Sequence, residues 1–169
     1  MRYTFLLLCL TLGLDLFAQS PQADKIKEIL KNQNLEDTAK ISYCQQIAQS
    51  IIQIAPDSGL KYANIGLEFS KQKYAIKDQM IFYKIISIGL ATKGDYATAK
   101  ETVIKGISLY KDADQKQALG DLYHNLGIIN YRLQDFENSI TAYYKSLEIS
   151  SALQNNTAFV KTKVSMLSL

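Results

Sequence analysis

Residues 125–150, NLGIINYRLQDFENSITAYYKSLEIS, decide how the chain is read. Tyr123, Leu126, Ile128 and Ile129 recur at helical spacing, Leu133-Gln134-Asp135 interrupts them, and Phe136, Ile140, Tyr143, Leu147 and Ile149 resume the period. Two amphipathic helices with a short break between them follow. Asp135 is of a residue type that caps helix N-termini, because a short carboxylate accepts the free N–H groups of the first turn. Helices of about 15 residues joined by so short a turn are expected to lie side by side and antiparallel. Apolar residues occur on more than one face, so a single hairpin leaves part of them in water. Neighbours of the same kind are expected to cover it.

Those neighbours are legible as a spacing of 40. Tyr43, Tyr83 and Tyr123 stand in register, as do the small residues Gly59, Ala99 and Ser139, the small residues Gly66, Gly106 and Ser146, and the branched Leu67, Ile107 and Leu147. Recurrence of large and small classes together has a packing reason. Small residues let each second helix approach its own first helix and that of the next unit, and the aromatic is expected to fill the gap between them. The sequence therefore predicts an all-α protein, an α-solenoid of antiparallel helix pairs with units at about 40–79, 80–119 and 120–156.

These units resemble tetratricopeptide repeats. Tyr123, Leu126-Gly127, Asp135-Phe136, Ser139, Tyr143 and Ser146-Leu147 follow the family's order of a large aromatic, a Leu-Gly pair, a turn ending in Asp and an aromatic, and small residues in the second helix. The middle unit keeps Tyr83, Gly94-Asp95-Tyr96, Ala99 and Gly106-Ile107, with Ile86-Ser87 for Leu-Gly. The first, around Tyr43 and PDSGLKYANIGLEFS, has Gln46-Ile47 there and Pro56 in the aromatic place. The family's terminal Pro is replaced by Lys71, Lys111 and Ser151, consistent with longer second helices. The lead-in Asp37-Thr38-Ala39-Lys40 and the phrase PDSGLKYAN also resemble exported sensor regions of bacterial histidine kinases and regulators.

The ends read differently. Met1 and Arg2, an apolar run from Phe5 to Phe17, and Leu16-Phe17-Ala18 before Gln19 describe a signal peptide over 1–18, too short for a membrane span of about 20 residues and interrupted by Asp15. Leu8, before Cys9, occupies a place where a lipobox carries a small residue. An exported chain, periplasmic or secreted, with no permanent span is expected. Ile26, Ile29 and Leu30 among lysines predict a capping helix within 19–37. Ala158, Val160, Val164 and Leu167 predict another over 157–169, either a cap or the first helix of a truncated fourth repeat.

Composition sets the classes of function. An apolar share of 47% over 169 residues supports a packed core. Removing residues 1–18 takes away Arg2 and Asp15, so 18 basic against 15 acidic residues again give +3, too mild a charge for nucleic acid or an anionic membrane. Cys44, among Ile41, Tyr43 and Ile47, reads as a buried thiol. No Gly-rich phosphate loop, nucleophile elbow or paired metal-ligand motif occurs, and one histidine precludes a histidine cluster. Neither catalytic residues, nor metal, nor cofactor, nor a small-molecule substrate is expected.

A protein or peptide is the expected partner. In the tetratricopeptide family the first helices line a concave groove, which places Ile41, Cys44, Gln45, Ala48 and Ile52 there from the first unit. Ile81, Lys84, Ile85, Ile88 and Thr92 follow from the second, and Asp121, His124, Asn125, Ile128, Tyr131 and Arg132 from the third. The core of that expectation is Lys84, Ile85, Ile88, Asp121, His124, Asn125, Ile128, Tyr131 and Arg132. A partner with an apolar anchor near Ile85 and Ile88 and an acidic or amide group toward Lys84, Asn125 and Arg132 would fit. The alternative for Ile81, Ile85 and Ile88 is internal packing. The alternative for the whole chain is a truncated sensor region of a signal-transduction protein.

Overall fold

The structure is a computed structural model describing residues 35–110 and 113–167; the signal-peptide and N-terminal cap readings lie outside them. Seven α-helices are present among the described residues and no strand. They are α1 (Asp37–Ile51), α2 (Pro56–Gln72), α3 (Ile76–Thr92), α4 (Tyr96–Ser108), α5 (Lys116–Arg132), α6 (Phe136–Ala152) and α7 (Asn156–Met166), with a 3-10 turn at Ala113–Gln115 before α5. Each helix packs on the next in order. The odd-numbered helices also meet one another, α1 on α3, α3 on α5 and α5 on α7.

One turn design joins most of them. Tyr74, Gly94, Gln134 and Gln154 each have positive φ, and each donates its N–H three residues back, to Lys71, Ala91, Tyr131 and Ser151. The following residues, Ala75, Asp95, Asp135 and Asn155, reach five residues back to Ser70, Leu90, Asn130 and Ser150 at 2.8–3.0 Å. This pair of bonds is a Schellman motif, which satisfies the last carbonyls of a helix. The residue that closes one helix also opens the next. Asp95, Asp135 and Asn155 accept side-chain caps from the N–H groups of Thr98, Asn138 and Ala158.

Two apolar clusters form the core, one around Ile41, Cys44, Ala48, Leu67, Phe82 and Ile85, the other around Met80, Ala99, Val103, Leu122 and Ile129. The small residues work as the spacing implied. A Cβ on Gly66 would fall within the ring of Phe82, and one on Gly106 would stand 3.0 Å from Leu122; Ser146 Oγ meets Thr162 Oγ1 at 3.2 Å. Phe82, Leu122 and Thr162 are themselves in register. The gap-filling aromatics are different from those expected. Tyr43 is exposed and Tyr83 and Tyr123 are half-buried, whereas Phe82 is fully buried and Tyr143 is 2% exposed, with its ring over Gly127. The rotation of each helix decides which ring turns inward: Phe82 and Tyr83 are neighbours on α3 and only Phe82 reaches the core.

On α7 the buried residue is Thr162, while Val160, Val164 and Leu167 face solvent. Thr162 is held in place by polar bonds to α5 and α6, and those bonds set the rotation of the helix.

Candidate functional site

A cleft of about 500 Å3 opens between α3, α5 and α7. Helix α3 contributes Lys84, Ile88, Ala91 and Thr92, and α5 contributes Asp121, His124, Asn125, Ile128, Ile129 and Arg132. Gln53, Tyr96 and Lys161 complete the lining. The residues on α5 share one face because their spacing of three and four follows the helical period.

Its polar groups are largely bonded to one another. Lys84 Nζ meets Asp121 Oδ2 at 2.7 Å, Gln117 Nε2 donates to Asp121 Oδ1 at 2.9 Å, and Asn155 Nδ2 donates to Gln117 Oε1 at 2.8 Å. A bonded chain thus runs from α3 across α5 to the cap of α7. Asn125 Nδ2 donates to Ser87 Oγ at 2.5 Å, and the Ser87 hydroxyl donates to the Lys84 carbonyl at 2.7 Å. Lys84 and Asn125 are therefore engaged within the protein.

His124 is buried at the side of the cleft, with its ring 5.8 Å from that of Tyr143. Its Nδ1 lies 3.0 Å from Thr162 Oγ1, whose one proton also has the Ala158 carbonyl within reach at 2.9 Å. With that proton directed at the Ala158 carbonyl, Nδ1 carries the imidazole proton; with it directed at Nδ1, Nε2 carries it. Among the described residues Nε2 is buried without a hydrogen-bond partner. Burial, with the Lys161 charge second, lowers the imidazole pKa to about 4, so the ring is neutral at physiological pH. Thr162, bonded to the Ala158 carbonyl and to Ser146, is placed to hold the imidazole.

Of the expected groove residues, Lys84, Ile88, Asp121, His124, Asn125, Ile128 and Arg132 line this cleft, as does Thr92. Ile85 does not. It is 1% exposed and belongs to the core beside Phe82, so the internal-packing alternative holds for it. Ile81 packs against both core clusters. Tyr131 stands half-buried with its ring 5.9 Å from Phe136. On α1, Ile41, Cys44 and Ala48 are core residues, as is Ile52 just after it, and the Cys44 thiol pKa is pushed up to about 11 by burial. Packing of α1 directly on α3 closes the surface they would have offered.

Gln53, Ala91, Tyr96, Ile129 and Lys161 line the cleft although the sequence reading left them out, and of these Lys161 is the charged one. The signal was available: it lies in register with Ile81 and Asp121, one further step of 40 along the chain. Arg132 and Lys161 are exposed, and among the described residues neither has a carboxylate partner.

Also among the described residues, no helix is long and apolar enough to cross a membrane, and no group of three or more His, Cys, Asp or Glu side chains could hold a metal ion. Comparison with protein-family models, curated proteins and solved structures returns no match.

Proposed function

We propose that this chain is an exported α-solenoid of tetratricopeptide type that binds a protein or peptide through the face lined by α3, α5 and α7, without catalysing a reaction. The observation that supports it is the cleft itself. It combines half-buried apolar walls, Ile88 and Ile128, with exposed charge at Arg132 and Lys161, the apolar centre and polar rim typical of recognition surfaces. Contacts of each odd-numbered helix with the next odd-numbered one, and the recurring turns, support the stacked-pair reading of the fold.

The test is a peptide-display selection against residues 19–169, followed by binding to variants of the cleft. Ile128→Ser and Arg132→Glu are expected to weaken the selected peptides, whereas Tyr144→Ser, on the exposed side of α6, should leave them bound. Selected peptides indifferent to both cleft substitutions, or no selection at all, would refute the reading.

A further inference from the structure

We propose that α6 and α7 form a two-fold interface with the same two helices of a second copy of this chain, α7 of each copy lying in a seat between α6 and α7 of the other. The spacing of 40 locates the seat. Val160 and Leu167 of α7 stand where α5 has Gly120 and Gly127, and a Cβ on either glycine would meet α6, at Ile149 and Tyr143 respectively. Ile140 and Tyr144 of α6 stand where α4 has Lys100 and Ile104, which line a hollow of about 300 Å3 together with Asn138, Thr141 and Ala142 of α6. Both sets are therefore turned toward one place, that of a helix packed on α7 as α6 packs on α5. Among the described residues no helix takes it.

The walls of the seat are apolar. Val160, Val164 and Leu167 are 58, 60 and 87% exposed, and Ile140 and Tyr144 are exposed as well. Together they leave roughly 500 Å2 of side chain in water, an area that on a folded protein marks a contact surface. An ordinary interface is about 57% apolar, so this patch is the centre of about 900 Å2 per partner, the size of a standard specific contact.

Charge selects a second copy as the occupant. Helix α7 carries Lys161 and Lys163 and no acid, whereas α6 carries the exposed Glu137 and Glu148 in step with Ile140 and Tyr144 at spacings of three and four. Its one lysine, Lys145, is turned away, over the Tyr123 ring in the hollow toward α4. Among the described residues none of these two lysines and two glutamates is in a salt bridge. Laying α7 of one copy against α6 of the other brings lysine to glutamate, and the two-fold axis repeats the match.

The experiment is sedimentation equilibrium of residues 19–169 from about 1 μM to about 1 mM, where contacts of this size associate. A monomer–dimer equilibrium is expected. Val160→Ser with Val164→Ser should weaken the dimer about a hundredfold by removing the apolar centre, whereas Ile54→Ser, similarly exposed at the turn between α1 and α2, should leave it unchanged. Lys163→Glu should weaken it about tenfold, and adding Glu148→Lys should restore it. Circular dichroism on the same samples confirms that each variant is folded. A chain that stays monomeric throughout, or a dimer indifferent to the paired valine substitutions, would overturn the proposal, as would assembly beyond two copies, which marks a head-to-tail contact. A double charge variant no tighter than Lys163→Glu alone would overturn the crossing of α7 onto α6.

Discussion

His124 couples the stability of this fold to pH in a window where no other side chain type ordinarily titrates. It is the only histidine in the chain, it is 6% exposed, and its pKa falls to about 4 in the folded state. In the unfolded chain the imidazole returns to about 6.5. Between these values the unfolded state holds more protons than the folded state, so stability must fall as pH falls. The binding polynomial for the two values gives a loss of about 2 kcal/mol on going from about pH 7.5 to about pH 5. Asp37 and Asp135, held low by hydrogen bonds from Lys73 and Asn138 respectively, lose their stabilising effect at more acid pH and do not confuse this window. Urea unfolding followed by far-ultraviolet circular dichroism measures the difference directly. His124→Gln keeps an amide able to bond Thr162 and has no titrating group, so its curves at the two pH values should nearly coincide. A wild-type midpoint unchanged between them, or an equal shift in His124→Gln, would refute the placement of a neutral imidazole between α5, α6 and α7.

Other outcomes follow from the packing and the turns. Tyr143→Ala should destabilise by about 3–5 kcal/mol, as truncation of a fully buried aromatic does, and Tyr123→Ala by only about 1–2 kcal/mol because its ring is half-buried beneath Lys145. Chemical denaturation of the two variants side by side checks the order. Gly127→Ala places a Cβ 2.6 Å from the Tyr143 ring and should lower stability by about 1–3 kcal/mol through overpacking. At the turns, Gln134→Gly and Gln154→Gly relieve positive φ and should each raise the melting temperature by a few degrees. Gly94→Ala, where a Cβ meets nothing within 4 Å, should lose about 1 kcal/mol from backbone strain alone.

The helices were legible from the sequence because their punctuation is local. The break at Leu133-Gln134-Asp135 is where α5 ends and α6 begins, and Asp135 caps α6 as its residue type implied. The small residues at Gly66, Gly106 and Ser146 were legible as close-approach points because a missing side chain is a steric fact visible in one letter. Which aromatic fills the resulting space was not, since Phe82 and Tyr83 are adjacent and only the rotation of α3 separates a core ring from a rim ring. The cleft was half legible. Lys84 and Asn125 do line the cleft, but their capture by Asp121 and Ser87 depends on side chains about 40 residues distant. Lys161 was missed because α7 was read from its valines, which turn out to face solvent while Thr162 turns inward.

The short reach of the helix contacts bears on how the chain comes off the ribosome. Substantial contacts extend from each helix to the next and the next but one, a sequence distance of about two helices. Little chain entropy is lost in closing so small a loop, and topologies of this kind fold rapidly. Helices α1 to α3 can therefore settle into the cluster around Phe82 while α7 is still being synthesised, and the cleft, which needs Lys161, is assembled last.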